Sequence, residues 1–365
     1  MNSEEVFWLA FSYVRGIGAV RFRKLLNFFG ELSLAWGASK DELITAGLTE
    51  KAAEAVVLTR KQLDLDELPV SLAKKGIQYL TWMSPEYPRY LKEIAQPPPV
   101  LYYIGSITPE DDLAIAIVGT RNVTNYGRQI TVDTAGFLAG NRITVVSGLA
   151  RGVDGLAHKA ALDAGGRTIA VLGSGVDIIY PPEHRQLARQ IVAQGALLSD
   201  YPPGTKPDGI NFPPRNRIIS GLSRGTVVIE AGVRSGALIT AKFALDQGRE
   251  IFAVPGSVLS PMSKGTNQLI SDGATPMTNP TIITETLSLQ NKAPKSQKAR
   301  IELTLNEENI LKILGNESLH IDELCAKTSM SIEKLTADLT MMELKGIIER
   351  ENGMEYRRIR QWEFD

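Results

Sequence analysis

Apolar residues recur with helical spacing in the first part of the chain. These apolar runs cover residues 6–13, 20–29 and 43–57. Short glycine turns separate them, the first being Arg15-Gly16-Ile17-Gly18. Helices joined by short glycine turns predict a small all-α domain over residues 1–68.

The pattern changes after residue 99, where short uninterrupted apolar runs begin to alternate with helical patterns. The apolar runs lie at 113–118, 143–146, 168–172, 226–229 and 251–254, and the helical patterns lie at 128–139, 155–164, 183–193 and 237–246. Strands without polar positions that alternate with helices are typical of a parallel sheet covered on both faces. We therefore predict an α/β domain over residues 69–287, with an irregular, proline-containing segment at 84–99.

The last part of the chain, from residue 288, has a residue pattern that differs from both preceding parts. A polar, lysine-rich segment at 288–302 predicts a linker. Helical patterns follow at 307–314, 321–327 and 332–345. The pair Asn352-Gly353 lies between apolar runs and predicts a β-hairpin. Three helices and a hairpin predict a winged helix over residues 303–365.

The third helical pattern of this winged helix carries no Arg, Asn or Gln that could contact base edges. Base-specific recognition is therefore not expected. Arg357, Arg358 and Arg360 in the hairpin could contact phosphates, or the domain could bind another protein. The sequence leaves both roles open.

The overall charge balance limits where a nucleic-acid site can lie. The 365-residue chain has 22% charged residues and a formal net charge of −1, unlike a protein whose whole surface is basic. Any such site must be a local cluster of cations, because counterion release depends on the charges at the groove itself.

The cysteine content and the N-terminal sequence limit the cellular locations that we expect for this protein. The single cysteine, Cys325, excludes an intrachain disulfide and a cysteine-rich metal site, and we expect no metal. Acidic residues precede the apolar ones at the N-terminus, which is the wrong order for a secretory signal. No run of about 18 apolar residues predicts a membrane span. We therefore expect a cytoplasmic protein with no membrane partner.

The residues that could bind a ligand lie where the predicted strands end. Ligands bind to an open parallel sheet at the carboxyl ends of its strands. These turns combine small residues with arginine, and they include Gly119-Thr120-Arg121, Ser147-Gly148 with Arg151, Gly173-Ser174-Gly175 and Pro255-Gly256-Ser257. Glycine lets a ligand approach the backbone, and arginine and the N–H groups of helix starts bind oxyanions. The combination suits phosphate. No G-x-G-x-x-G follows the first strand and no Walker A sequence exists, so we expect no cofactor.

A second basic stretch covers residues 212–224. It places Arg215 and Arg217 at the start of a predicted helix. Together with Arg121 and Arg151 they could line one basic groove. The competing interpretation is that some of these arginines pair with acidic residues and only hold the sheet together.

The acidic partners in that interpretation are Asp154, Asp200 and Glu230. Some of the same residues are also candidates for catalysis. Asp154 and His158 are four residues apart on a predicted helix and could form a general base with its orienting acid, or could stiffen the helix. Asp177 and Glu230 lie at strand ends, where they could serve hydrolysis or anchor loops.

In these residues the middle domain resembles the DNA-processing protein DprA (Smf) family. The resemblance rests on VGTR at 118–121, SGLARGVD at 147–154, FPPRNRIISGLS at 212–223, SGALITA at 235–241 and FAVPGS at 252–257. It implies an extended Rossmann-like fold that binds single-stranded DNA without catalysis. It further implies a recombination mediator that loads RecA recombinase during natural transformation, acts as a homodimer, and has a single-strand-binding protein as a candidate partner.

The resemblance also assigns roles to individual residues. The DNA backbone would be contacted by Gly119, Thr120, Arg121, Ser147, Gly148, Arg151, Arg215, Asn216 and Arg217. Lys206 and Lys264 are candidates for additional contacts. Asn267, Leu269 and Ile270 are candidates for the dimer contact, with an ordinary core helix as the alternative.

The turn at Gly16-Ile17-Gly18 resembles a helix-hairpin-helix turn, which presents backbone N–H groups to a phosphate. Gly16 and Gly18 would then contact DNA with help from Arg21 and Lys24, unless the glycines only form the turn of a spacer domain. Phe28 and Phe29 are expected in the core.

The alternative function is a nucleotide-processing enzyme of the phosphoribohydrolase type on a related fold. Glu230 would act as its catalytic acid or base, and the same loops would hold a 5′-phosphate. The segment at 230–236 lacks the Pro-Gly-Gly-x-Gly-Thr turn of those enzymes.

Overall fold

The computed structural model describes residues 4–289, 304–315, 318–328, 330–345, 347–350 and 353–358. The chain divides into two compact units, Met1–Asn291 and Lys292–Asp365. The predicted boundaries at 68 and 287 stay predictions, and most of the predicted linker lies outside the described residues. Within the described ranges, no helix has both the length and the apolar character needed to cross a membrane.

The first unit begins with six helices. They are α1 (Glu5–Ser12), α2 (Ala19–Phe29), α3 (Leu32–Gly37), α4 (Lys40–Thr45), α5 (Glu50–Arg60) and α6 (Glu67–Lys74). The turns before α2 and α5 contain Gly16 and Gly47 at φ of 88° and 95°, a backbone conformation that favours glycine. Trp8, Phe11 and Phe22 are buried at the centre of this bundle. Phe28 was expected there too, and this is wrong, because its side chain is 52% exposed.

The remainder of the first unit is a mixed α/β layer structure. In chain order it contains β1 (Gln78–Thr81), α7 (Arg89–Lys92), β2 (Val100–Gly105), a 3-10 turn (Pro109–Asp112), β3 (Ala114–Val118), α8 (Asn125–Gly140), β4 (Thr144–Ser147), α9 (Val153–Asp163), β5 (Thr168–Val171), a second 3-10 turn (Pro182–His184), α10 (Arg185–Gln194), β6 (Gly195–Ser199), α11 (Phe212–Gly221), β7 (Gly225–Val228), α12 (Gly236–Asp246), β8 (Glu250–Ala253), α13 (Lys264–Ser271), β9 (Thr275–Pro276) and α14 (Thr281–Thr286).

The strands form one sheet in the order β1-β2-β6-β5-β4-β3-β7-β8-β9. All neighbours from β6 to β9 are parallel, whereas β2 and β1 join antiparallel at one edge. The predicted parallel sheet is thus confirmed, and the sequence pattern missed β1, β2, β6 and the two-residue β9. The helical bundle and the sheet share a core, since Tyr102 of β2 is buried among the bundle's aromatic residues.

Alternate residues of the central strands enter two separate cores. Ile115 and Ile117 of β3 pack with α8 and α9, while Ala116 and Val118 pack with α11 and α12. The period-two alternation of a strand produces this division. Helices therefore cover both faces of the sheet, as expected for continuous apolar strands.

The second unit contains α15 (Leu305–Leu314), β10 (Leu319–His320), α16 (Ile321–Thr328), α17 (Ile332–Leu344), β11 (Ile348–Arg350) and β12 (Glu355–Arg358). The strands pair antiparallel in the order β10-β12-β11. Three helices with this small sheet confirm the predicted winged helix. Arg357 forms an ion pair with Glu349 across the hairpin. Arg360 and Asn352 lie outside the described residues.

Candidate functional site

A cleft of about 720 Å³ opens beyond the carboxyl ends of β3 and β7. The chain leaves β3 toward α8 on one face of the sheet and leaves β7 toward α12 on the other face. Neighbouring connections that diverge in this way leave a crevice between them. The cleft is lined by the loop after β3, the start of α11 and the loop after β7 with the first turn of α12.

The loop Gly119-Thr120-Arg121 forms one edge of the cleft. A side chain at Gly119 has no room, since a Cβ there would lie 2.6 Å from Cγ2 of Val153. The N–H of Thr120 donates to the carbonyl oxygen of Glu230 at 2.8 Å and ties this loop to the end of β7. Arg121 is exposed, and among the described residues its guanidinium has no hydrogen-bond or ion-pair partner.

The loop after β4 holds the cleft-lining loop after β3 in place. Ser147 is completely buried, and its hydroxyl donates to the carbonyl oxygen of Ile117 at 2.6 Å. Ser147 therefore joins β4 to β3, and its predicted contact with DNA stays a prediction. Gly152 has a φ of 76°, and a Cβ there would overlap the carbonyl oxygen of Thr120. Glycine is required at this point for two loops to touch.

Arg215 braces that loop from α11. Only 5% of the residue is exposed. Its Nη1 donates to the carbonyl oxygen of Gly148 at 2.9 Å and also to that of Val171. Gly148 is itself buried, and its N–H donates to a carboxylate oxygen of Asp154 at 3.2 Å. Arg215 and Gly148 are therefore held in place by internal bonds, and their predicted contact with the DNA backbone stays a prediction.

Burial shifts the pKa values of the two charged groups that hold this loop, Arg215 and Asp154. Burial lowers the pKa of Arg215 to about 10, the carboxylate of Asp154 acts in the opposite direction, and the neighbouring Arg121 adds to the lowering. Burial also raises the pKa of Asp154, against the effect of Arg215. A pKa of about 10 keeps Arg215 cationic at neutral pH, so its positive charge is felt by both the guanidinium of Arg121 and the buried carboxylate of Asp154.

Arg121, Arg151 and Arg215 converge on a small cavity of about 40 Å³ next to the cleft. Arg151 also forms an ion pair with Glu183, in which both side chains are substantially exposed. Exposed pairs of this kind contribute little stability, so a phosphate can replace Glu183 at low cost. The structure thus brings together three of the four arginines expected in one groove.

The fourth arginine, Arg217, is used elsewhere. Its guanidinium forms a 2.8 Å ion pair with Asp200 and donates to the carbonyl oxygen of Gln96 at 3.0 Å. It does not line the cleft. These contacts favour the competing interpretation, in which the arginine holds the structure together, and the DNA contact of Arg217 stays a prediction. Asn216 does line the cleft.

Sequence reasoning missed Arg234. This exposed residue lines the cleft opposite Arg121, in the loop after β7, and Ser235 and Gly236 beside it begin α12. The hydroxyl of Ser235 accepts from the N–H of Ala237 at 3.3 Å. An arginine followed by Ser-Gly after a buried strand was the available signal.

The two lysines expected to add contacts are not among the residues lining the cleft. Lys206 is exposed in the loop before α11. Lys264 begins α13 and lines a different groove of about 520 Å³. Asn267 and Leu269 line that groove too, whereas Ile270 does not. The side-chain amide of Asn267 binds the backbone of Gly256 at 3.2 and 3.0 Å, so this residue braces the turn after β8.

The glycine turn near the N-terminus is stabilised from within the bundle. Arg21 donates to the carbonyl oxygen of Gly16, and Lys24 donates to that of Gly47 at 3.1 Å. Both basic side chains therefore cap glycine turns instead of being free to assist a phosphate contact. Gly18 is exposed and precedes α2, and neither glycine lies in the cleft.

The candidate catalytic residues all have structural partners. Glu230 is 2% exposed, and its carboxylate accepts from the hydroxyl and the N–H of Thr124 at 2.6 and 2.9 Å, which caps α8. His158 is fully buried against Thr168. Asp177 accepts from the N–H of Gly204 at 2.8 Å and forms an ion pair with Lys75. Among the described residues, no group of three or more His, Cys, Asp or Glu could hold a metal ion.

Sequence comparisons cover both units. Residues 78–288 match the family described as DNA recombination-mediator protein A, and residues 294–354 match the DprA winged helix domain. The chain is 37% identical to protein Smf of Synechocystis over 397 aligned positions, which cover 98% of this chain and 99% of that protein. It is 46% identical to DNA processing protein DprA of Bacillus subtilis, over 57% of this chain and 71% of that protein.

Solved structures agree with this assignment. The X-ray structure of DprA from Streptococcus pneumoniae superposes with a TM-score of 0.66 at 32% identity, covering 78% of this chain and 98% of that one. DprA from Helicobacter pylori, described for its single-stranded DNA binding mode, superposes with a TM-score of 0.52 at 32% identity, covering 58% of this chain and 96% of that one. The chain belongs to the DNA recombination-mediator protein A family, also named DprA or Smf.

Proposed function

We propose that this chain binds the sugar-phosphate backbone of single-stranded DNA along the cleft and acts without catalysis. The single observation that carries the proposal is the convergence of Arg121, Arg151 and Arg215 on one cavity at the edge of the sheet. Only one carboxylate, that of Asp154, is buried among them. A bound phosphate would supply the missing negative charge and accept hydrogen bonds from the guanidinium groups.

The walls of the cleft favour a backbone contact over base recognition. Gly119, Gly232 and Gly236 line it with Thr120 and Ser235, so the main chain is accessible and the hydroxyls are small. Such a surface binds phosphates of any sequence. The single-stranded DNA binding described for the Helicobacter pylori relative supports the same substrate class.

A phosphoribohydrolase is disfavoured by the position of Glu230. Both of its oxygens accept hydrogen bonds from Thr124, and the residue is buried under α8. A general acid or base must reach its substrate directly or through one water. Glu230 instead fixes the helix that follows the Arg121 loop, which is a positioning role.

The proposal extends to partners through the family. As a recombination mediator, the protein would load RecA recombinase onto the bound strand in natural transformation, beside a single-strand-binding protein. It would do so as a homodimer. The groove next to α13 supports that assembly, because Val233 and Val258 are 70% and 79% exposed there beside the charged Lys264 and Asp272, and exposed apolar side chains rimmed by polar ones mark protein interfaces.

The direct test is fluorescence anisotropy of a labelled oligothymidylate across a salt series, with a duplex of equal length for comparison. Arg121→Gln should weaken single-strand binding for all sequences alike and reduce the slope of log K against log salt by about 0.7, the value for one phosphate contact. Lys242→Gln is the matched control, because Lys242 is exposed on α12 and does not line the cleft.

Two results would contradict the proposal. One is an Arg121→Gln protein that binds the single strand as tightly as the unsubstituted protein. The other is release of free base from nucleoside monophosphates by the unsubstituted protein, which would favour the enzyme. Loading of RecA is tested separately, by the rate of filament formation on strands coated with single-strand-binding protein.

A further inference from the structure

A second cavity begins where the cleft ends. It is an open groove of about 660 Å³ between α8, α9 and α10. Arg121 lines both the cleft and this groove, so the two form one continuous surface that turns around its guanidinium. The groove lies on the face of the sheet opposite to α11 and α12.

The floor of the groove is made by one side of α9. Gly152, Gly155, Leu156 and Lys159 line it, at spacings that place them on the same helix face. A Cβ at Gly155 would lie 2.7 Å from Cε1 of His184. Because the two glycines have no side chains, the groove is deeper at their positions. Lys159 lies at the far end of this helix face.

The charge of the groove is unbalanced. Arg121, Arg128 and Lys159 are exposed and line it, and within the described part of the chain none of their charged side-chain groups forms a hydrogen bond or an ion pair. The one lining carboxylate, that of Glu183, is paired with Arg151. Gln186 and Gln190 of α10 add amide donors along the opposite wall. Three unpaired cations along an open channel form a local site for a polyanion.

We propose that the bound single strand continues from the cleft past Arg121 into this groove, where Arg128 and Lys159 bind successive phosphates. This inference rests on the proposed function. It adds a second segment to the binding site and a path for the strand around Arg121. Arg128 and Lys159 present charges that bind phosphates, so the contacts that they make in the groove are independent of sequence.

The test compares the unsubstituted protein with a double variant, Arg128→Gln with Lys159→Gln, on oligothymidylates of about 4 to about 16 nucleotides. The shortest strands fill only the cleft, so both proteins should bind them equally. Longer strands should gain affinity with the unsubstituted protein and lose that gain with the variant. The salt slope on the longest strand should fall by about 1.4, because two phosphate contacts are removed.

The matched control is Lys74→Gln with Lys242→Gln, which removes the same charge from exposed positions outside the groove. The inference is overturned if the groove variant keeps the length dependence and the salt slope of the unsubstituted protein. It is also overturned if affinity falls equally for the shortest and longest strands, since the two cations would then act on the cleft. Failure of the proposed function is distinguishable, because then the unsubstituted protein would bind no single strand of any length.

Discussion

The guanidinium of Arg215 donates to the carbonyl oxygen of Gly148 at 2.9 Å and so fastens α11 to the loop after β4. The same loop is held from the other side by Asp154, which accepts from the N–H groups of Gly148 and Ala150 at 3.2 and 3.3 Å. A buried arginine and a buried carboxylate thus determine the shape of the surface on which the exposed Arg121 lies.

Replacing Arg215 with Met should destabilise the protein. The substitution removes the hydrogen bonds to the buried carbonyl oxygens of Gly148 and Val171 and the positive charge that opposes the burial of Asp154, and each buried acceptor left without a partner costs about 1–3 kcal/mol. Urea unfolding followed by tryptophan fluorescence measures the loss. Arg121→Met is the control and should leave the free energy of unfolding within about 0.5 kcal/mol, as expected for an exposed residue. Equal stability of the two variants would contradict the bracing role.

Two glycine substitutions should have opposite effects. Gly152→Ala introduces a Cβ at a φ of 76° that overlaps the carbonyl oxygen of Thr120, so it should cost more than about 1 kcal/mol. Gly136→Ala lies inside α8 with open space around its Cβ position, and it should stabilise by about 0.5–1 kcal/mol. Unfolding midpoints in urea measure both. A stabilising Gly152→Ala would contradict the close approach of the two loops.

His158 should make stability depend on pH. The hydroxyl of Thr168 donates to the carbonyl oxygen of Val145 at 2.8 Å, so its oxygen accepts from Nδ1–H of His158 at 2.6 Å. Nε2 has no protein partner in the described residues, and burial lowers the pKa of His158 to about 3. The unfolded chain, with a histidine pKa of about 6.5, therefore binds a proton that the folded protein excludes.

The sign of this effect follows from that difference in protonation. The contribution is fully present above pH 6.5 and is lost as the pH falls from about 6.5 toward 3, by up to about 1.4 kcal/mol per pH unit. His158→Gln should remove this component, so the stability gap between the two proteins should narrow from pH 7 to pH 5. Parallel stability curves over that range would show that His158 does not titrate as its burial requires.

The proposed homodimer can be tested at the groove beside α13. Val258 and Leu259 of the preceding loop are 79% and 87% exposed, and Val258 lines the groove. Val258→Glu should convert a dimer into a monomer in light scattering, because the carboxylate would be buried unpaired at an apolar interface. Leu58→Glu on α5 is the control, since Leu58 is 53% exposed. A monomeric unsubstituted protein would contradict the dimer.

The strands of the central sheet could be predicted because each is an apolar run without interruption. Strand β6 was missed because Gly195–Ser199 directly follows α10 without an intervening loop, so the apolar residues of helix and strand merge into one pattern. The edge strand β1 was missed because Gln78–Thr81 mixes polar and apolar positions, and the other edge strand, β9, has only two residues. Strand β2 lies between β1 and β6, but Val100–Gly105 directly follows three prolines in a segment that the pattern predicts to be irregular. Pairing with a neighbour, more than local propensity, makes such segments strands.

The sequence could place arginines near glycine turns but could not separate their roles. Arg121, Arg215 and Arg217 have similar local surroundings in the chain. Their difference arises from the strand order, which brings Gly148 beside Arg215 and Asp200 beside Arg217. Burial therefore depends on contacts between residues that are distant in sequence, and no local pattern encodes it.

The junction between β3 and β7 has a consequence for how the protein gains its activity. The two strands are neighbours in the sheet, although β4, β5 and β6 separate them along the chain. The cleft is therefore lined by residues that precede that interval, residues within it at the start of α11, and residues that follow it after β7. A nascent chain that ends before β7 contains Arg121 but cannot form the cleft. Affinity for single-stranded DNA should therefore appear in one step, when β7 pairs with β3.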